Sequence, residues 1–486
     1  MNITIAHKNG PYLSMALGII LFLWLWVFNP FHFDEQACRV IALAALMITW
    51  WVTEALPMPV VALIPIIMFP LMGIATVKET ASNYGNEVIF LFLGGFILGL
   101  GIEKWNLHQR IALTIVKVTG TSGNMIILGF ILATGMISMW LSNTATTMMM
   151  FPIALSVISV VGHGREDKSY KNFSICLMLA IAYAANFGGI ATIIGTPPNA
   201  AYVSYITDKL GVEISFFDWV IVCLPVSLLL MFSLYVVSVK LLFPNNISDS
   251  AEMKQVIHEK LAALGPVSTA EKRVMIVFIG TALLWITRDL INQQGWLKLD
   301  DNSIAVFGAV MLFVVPSGEH GKKLLEWKDT SHIAWGILLL FGGGIALAGA
   351  LEKAGLMSKL GEWIASFSGS NLLLLLLVVT TVSIFISEFM SNIAQVIVFA
   401  PVVTSIAQAA GFNPIILGVA LTLGASCASM MPMGTPPNAI VFASGHIRIK
   451  DMMKAGLVMN LIAIVLIVLF CYFILPKIMN IGGSMD

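Results

Sequence analysis

Two identical pentapeptides, Gly195-Thr196-Pro197-Pro198-Asn199 and Gly434-Thr435-Pro436-Pro437-Asn438, interrupt long apolar stretches of this 486-residue chain. Paired prolines remove two backbone donors and clash with the preceding turn, so a continuous helix cannot run through either copy. Each stretch therefore reads as two half-helices. Carbonyls before the break are left without intrahelical partners and suit a hard monovalent cation. Amides after the break, at the positive end of the second half-helix, favour an anion. Two other apolar blocks, residues 124–161 and 371–410, carry Ser142-Asn143-Thr144 and Ser391-Asn392-Ile393 at their centres. Serine and asparagine end one arm and start the next as N-caps, presenting hydroxyl, amide and backbone donors together. Donors with no fixed cation beside them suit carboxylate oxygens.

The order of these features is duplicated. Gly94-Gly95 and Glu103-Lys104 recur as Gly343-Gly344 and Glu352-Lys353, Ser142-Asn143 as Ser391-Asn392, and Pro152 as Pro401, each pair 249 positions apart. The pentapeptides are 239 apart. Around them, apolar runs long enough for a hydrocarbon core of about 30 Å read at about 12–28, 38–56, 58–74, 86–103, 173–205, 218–243, 273–291, 302–316, 332–352, 413–445 and 453–475, giving eleven crossings. The blocks at 124–161 and 371–410 read as two re-entrant hairpins or paired spans that return to their own side. Residues 244–272 form the longest polar stretch. They place Met253, Val256, Ile257, Lys260, Leu261 and Leu264 at helical spacing, as an amphipathic connector at the membrane surface would.

Composition agrees with a chain clothed in lipid. Hydrophobic residues make up 58% and Asp, Glu, Lys and Arg only 11%, too few charges to cover a soluble surface. That excludes a cytosolic or secreted enzyme, and 26 basic against 26 acidic residues leave no field to attract nucleic acid. With the N-terminus inside, the basic residues divide 18 inside to 8 outside, as cytoplasmic enrichment in Lys and Arg requires. On this count the N-terminus is cytoplasmic, the C-terminus is outside, and the two hairpins enter from opposite faces. The repeats are therefore inverted, an architecture of secondary transporters with a site near the bilayer midplane. Cys38, Cys176, Cys223, Cys427 and Cys471 show no ligand or disulfide spacing and read as packing residues. The polar N-terminal stretch leads into a retained first span, with no cleavage pattern after it.

These motifs resemble the divalent anion:sodium symporter family, the sodium-coupled di- and tricarboxylate transporters, over essentially the whole chain. The resemblance implies an all-α polytopic membrane protein of two inverted repeats, with about eleven transmembrane helices and two re-entrant hairpins. It also implies a homodimer in the plasma membrane (the inner membrane of a bacterium). Scaffold parts at 1–119 and 273–369 would flank transport parts at 120–243 and 370–486, with 244–272 as connector. The transport parts would move as a near-rigid elevator. Carried over by position, the first sodium would meet Ser138, Ser142, Asn143 and Gly195. The second would meet Ser387, Met390, Asn392 and Gly434. A C4 dicarboxylate would lie against Ser142, Asn143, Thr144, Ser391 and Asn392, with Thr196, Thr435 and Pro436 nearby. Sodium is the implied co-transported ion, and no organic cofactor is expected.

Ile393 departs from this pattern, replacing a threonine hydroxyl with an apolar wall. No Lys or Arg falls in either hairpin or break, so sodium ions and helix ends would have to meet the anion's charge. Glu54 and Glu388 lie at membrane depth, where a carboxylate marks either a proton path or a hydrogen-bonded helix end. The eight histidines form no metal motif. Alternatives are a sodium-independent exchanger, a symporter for citrate or sulfate, an anion channel, and an intramembrane hydrolase built on Ser426, for which no histidine base lies at comparable depth.

Overall fold

The computed structural model describes residues 10–120, 122–162, 167–247, 251–295, 297–319, 321–356 and 371–479. The N-terminal stretch with Lys8, and Arg165 and Lys359 of the charge count, lie outside the described residues. Among those described, the structure is helical throughout, and nine helices are long and apolar enough to cross a membrane.

The first helices are α1 (Gly10–Phe28) and α2 (Glu35–Val52), packed on each other. The expected span at 58–74 is not one continuous helix. It is two short pieces, α3 (Met58–Val61) and α4 (Ile64–Leu71), because Pro57, Pro59, Pro65 and Pro70 recur faster than a helix can absorb them. A capped turn, α5 (Val77–Ser82), leads to α6 (Glu87–Lys104). Next comes a helix that the apolar runs do not announce, α7 (Leu107–Thr119). Its buried Leu107, Ala112, Leu113 and Val116 form one apolar face, so it packs sideways without being apolar all round.

The first hairpin is α8 (Gly123–Ser138) and α9 (Asn143–Val161), and the first broken helix is α10 (Lys168–Gly189) and α11 (Pro197–Leu210). Helix α12 (Phe216–Val236) starts at a capping box, in which Ser215 and Asp218 exchange side-chain and backbone bonds, and runs on as a π turn to Leu242. The connector forms α13 (Ala251–Ala263), whose Ile257 is buried where the helix meets α7 and α9. After it come α14 (Thr269–Gln293), α15 (Asp301–Val314) and α16 (Trp335–Lys353).

The second hairpin, α17 (Leu372–Ser387) and α18 (Asn392–Ala409), precedes the second broken helix, α19 (Pro414–Ala425) and α20 (Pro436–Phe442). The chain continues through α21 (Ile449–Phe473). Pro152 in α9 and Pro401 in α18 sit inside the second arm of each hairpin, so the duplication extends to the proline within the arm.

One buried cluster joins both hairpins, both broken helices, α12 and α21 to α6, α14 and α15. A second gathers α1, α2, α3, α4 and α16, and reaches Met390 and Ala394 at the second hairpin. Many apolar side chains of α1, α14 and α21 remain exposed, including Leu13, Ile276 and Val465. In a chain this poor in charge, such faces suit lipid.

Candidate functional site

The residues that begin α9, α11, α18 and α20 all line a single cavity of about 830 Å³. Every residue expected to touch the anion lies on its wall: Ser142, Asn143, Thr144, Thr196, Ser391, Asn392, Thr435 and Pro436. Four helix N-termini thus converge on one space, and helix N-termini carry partial positive charge. Among the described residues no Lys or Arg is on the wall, whereas Glu54, Glu103 and His332 are. Ile393 forms part of the lining and gives it the expected apolar patch.

The donors are not distributed as the sequence predicts. Prolines occupy the first two positions of both α11 and α20, so the amides expected just after each break do not exist there. Helix α20 has only seven residues, which limits its dipole. What these ends offer is the hydroxyls of Thr196 and Thr435. The free amides belong to the hairpins, at the starts of α9 and α18. Ser142 Oγ accepts from Ala145 N at 3.3 Å, capping α9 and leaving the earlier amides of the turn free.

Behind the wall lie two matched clusters. In the first, Ser138 is fully buried, and its hydroxyl is within bonding distance of Asn143 Oδ1 (2.7 Å) and Ala185 O (2.8 Å). A Cβ on Gly195 would lie 2.6 Å from Gly189 O and 3.0 Å from Met139 O and Ser138 O. Three carbonyl oxygens therefore close around that glycine, which is the oxygen-only environment a hard cation prefers. Gly189 has its own role, since a Cβ there would meet Asn143 Oδ1.

The second cluster repeats the first. Ser387 Oγ reaches Asn392 Oδ1 at 2.6 Å and donates to Ala425 O. Gly434 approaches Met431 O, but its other neighbour is Glu388 Oε2, which would lie 2.9 Å from a Cβ added at that glycine. Met390 is buried and lines the cavity beside them.

The asparagine that ends each pentapeptide ties its break together. Asn199 Nδ2 donates to Gly189 O, Ile190 O and Thr192 O, with the shortest bond, to Thr192 O, at 2.8 Å. Asn438 Nδ2 donates to Ala428 O and Met431 O. Each side chain reaches back across the break, Asn199 to the end of α10 and the loop after it, Asn438 to the loop after α19. A buried carbonyl left unpaired costs about 1–3 kcal/mol, and Met431 O has a second partner in Gly434 N.

Glu388 resolves in favour of the hydrogen-bonded reading. It is 1% exposed, and its carboxylate accepts from the backbone N–H of Ser429, Met430 and Met431, each at 2.9 Å, and from Asn460 Nδ2 at 2.7 Å. In the first half the matching position is Met139. There the tie runs the other way, with the Thr192 hydroxyl donating to Met139 O. Glu54 is exposed at the cavity wall in a left-handed backbone conformation (φ 50°). Ser426 Oγ is buried with no hydrogen-bond partner among the described residues, so nothing there activates it as a nucleophile. No group of three or more His, Cys, Asp or Glu that could hold a metal occurs among the described residues.

Residues 7–478 match the family model for the sodium:sulfate symporter transmembrane region. The chain belongs to this family. It is accordingly a multi-pass membrane transporter and not an enzyme. A sodium-dependent dicarboxylate transporter, SdcS, of Staphylococcus saprophyticus is 39% identical over 486 residues, covering 98% of this chain and 93% of the relative. The SdcS of Staphylococcus aureus strain MRSA252 is 38% identical, with the same coverage of each chain. Two solved transporters, both 14% identical, share the fold. Alcanivorax borkumensis YdaH has a TM-score of 0.53 over 81% of this chain and 87% of its own, and Neisseria gonorrhoeae MtrF has 0.56 over 95% and 97%.

Proposed function

We propose that this family member couples inward sodium movement to uptake of a C4 dicarboxylate such as succinate, malate or fumarate. One observation carries the reading: two cation-suited oxygen clusters flank a cavity that is walled by donors and helix N-termini and carries no Lys or Arg among the described residues. A dianion entering it meets no full positive charge until cations fill the clusters behind. Their occupancy therefore determines anion affinity. The 38–39% identity to sodium-dependent dicarboxylate transporters supports both the ion and the substrate class.

The first sodium lies among Ser138, Ser142, Asn143 and Gly195, and the second among Ser387, Met390, Asn392 and Gly434. The anion lies between the hairpin tips, against Ser142, Asn143, Thr144, Ser391 and Asn392, with Thr196, Thr435 and Pro436 completing the contact. Transport is by an elevator motion of residues 120–243 and 370–486 against 1–119 and 273–369, in a homodimer whose N-terminus is cytoplasmic and C-terminus outside. Polar contacts bridging the proposed moving and fixed parts include Lys209 Nζ to Glu352 Oε2 at 2.8 Å, Asn86 Nδ2 to Asp208 Oδ2 at 2.7 Å, Ser204 Oγ to Asn86 Oδ1 at 3.3 Å and Phe216 N to Asp301 Oδ2 at 2.6 Å. These must part during the motion.

The test is uptake of succinate, malate, fumarate, citrate and sulfate by proteoliposomes, with a sodium gradient or with choline in its place. C4 dicarboxylate uptake that requires sodium and is abolished by Asn143→Ala and Asn392→Ala supports the reading. Equal uptake in choline, or intact transport in both variants, refutes it.

A further inference from the structure

One side chain joins the two halves of the site. Asn186, 1% exposed near the end of α10, accepts from Asn143 Nδ2 at 3.4 Å and donates its own Nδ2 to Thr435 Oγ1 at 3.1 Å. Asn143 belongs to the first hairpin and the first cation cluster, whereas Thr435 starts α20 in the second half. The direction of the chain is set at each step. Asn143 Oδ1 faces the Ser138 hydroxyl, so its amino group faces Asn186. Asn186 then presents its amino group to Thr435. Thr435 Oγ1 also accepts from Asn438 N at 3.4 Å, so both of its lone pairs are engaged and its own hydrogen is left to donate. Thr435 lines the cavity, and a carboxylate there is the acceptor it lacks.

We propose that Asn186 is a positioning residue that transmits occupancy of the first cation cluster to the anion's contact with Thr435. A cation on Asn143 Oδ1 polarises that amide, strengthens its donation to Asn186, and through Asn186 makes the Thr435 hydroxyl a better donor. Hydrogen bonds in series reinforce one another in this way. The link exists in one half only. The Ser138 hydroxyl reaches Ala185 O as the Ser387 hydroxyl reaches Ala425 O, 240 positions on, so the counterpart of Asn186 is Ser426. Ser426 is too short to make the same bridge, and its Oγ has no partner among the described residues. The first cation thus acts on the anion through a bridge that the second lacks. This inference rests on the placement of the cation and anion proposed above.

The experiment measures the succinate KM over a series of sodium concentrations in proteoliposomes. The variants are Asn186→Ala, Asn186→Asp, Thr435→Val, Thr435→Ser and the double variant Asn186→Ala/Thr435→Val. Asn186→Ala is expected to raise the succinate KM about tenfold at saturating sodium, within the usual range for coupling between sites, and to flatten its dependence on sodium. Asn186→Asp, which accepts but cannot donate, captures the Thr435 hydrogen and raises KM further. Thr435→Val loses the coupling, and Thr435→Ser, which keeps the hydroxyl, retains it. In the Thr435→Val background, Asn186→Ala adds nothing. Unaltered sodium dependence in Asn186→Ala, or additive effects in the double variant, overturns the relay. If Asn186→Ala does not fold, the contrast between valine and serine at position 435 decides alone. An Asn143→Ala protein with intact sodium dependence overturns the placement of the first cation as well, which separates the two failures.

Discussion

Gly195 and Gly434 occupy equivalent positions, yet an added methyl group meets different obstacles at each. At Gly195 the new carbon would lie 2.6 Å from Gly189 O, about 0.8 Å inside ordinary contact, and 3.0 Å from two further carbonyls. Those oxygens cannot retreat. Asn199 bonds Gly189 O from one side, and the Thr192 hydroxyl holds Met139 O. Overpacking of this kind costs about 1–3 kcal/mol. If that strain falls on the cation cluster, sodium affinity drops by about 5- to 150-fold, since each 1.4 kcal/mol is a factor of ten. At Gly434 the obstacles are the Glu388 carboxylate oxygen at 2.9 Å and Met431 O at 3.3 Å. The first is 0.3 Å longer than the worst contact at Gly195 and the second is marginal, so the penalty is smaller than at Gly195. Gly195→Ala therefore shifts sodium activation of succinate uptake to much higher concentration, with uptake recovering at high sodium, and Gly434→Ala shifts it less. Sodium-activation curves in proteoliposomes, together with the sodium dependence of the thermal midpoint, measure both. Unchanged activation in Gly195→Ala, or a larger shift in Gly434→Ala, would refute the assignment of the carbonyl cluster as the first cation's cage.

Three further outcomes follow from geometry already described. Glu388→Gln replaces one carboxylate oxygen with an amino group that must face at least one of three backbone N–H donors, those of Ser429 and Met430 on Oε1 or that of Met431 on Oε2. Leaving even one of these unpaired costs about 1–3 kcal/mol, so the thermal midpoint of the purified protein falls. Ile393→Thr adds a donor to the cavity wall, and competition assays should then show a changed order of preference among the anion panel with sodium dependence retained. Glu352→Gln removes the partly exposed pair to Lys209. Pairs of that kind contribute up to about 1 kcal/mol, so the conformational equilibrium, read by accessibility of a single introduced cysteine on α11, moves by no more than about fivefold.

The parts of the site that are legible in the sequence are those set by backbone chemistry. A double proline must break a helix wherever it sits, and Ser-Asn marks where the next arm starts, so the tips, the breaks and their duplication are readable from residue order alone, although the Ser142 side chain caps its arm and that of Ser391 does not. Asn186 and Glu388 are of another kind. The first acts 43 and 249 positions away, and the second on residues 41 to 43 and 72 positions away. No local pattern encodes those partners. Gly189 is equally silent in sequence, since its role is to let another segment's side chain approach. At 58–74 apolar length suggests a span where proline spacing forbids one, and α7 escapes a search for apolar runs because only one of its faces is apolar. The expected anion-binding amides of α11 and α20 fail for a reason visible in the motif itself: the residues that break the helix cannot also donate from its first turn.

The asparagine that closes each pentapeptide gives the duplication a different meaning. A gene copy drifts wherever substitution is tolerated, and elsewhere the halves of this chain have diverged until few identities remain in register. Five consecutive residues survive because each has a separate duty that no neighbour can assume. The glycine admits carbonyls, the threonine brings a hydroxyl to the wall, the prolines end one helix and begin another, and the asparagine stitches the new helix to the turn before it. The stitch also removes the looseness that an interrupted helix invites. What looks in sequence like a hinge is a weld, and any movement of the site has to be sought at its margins.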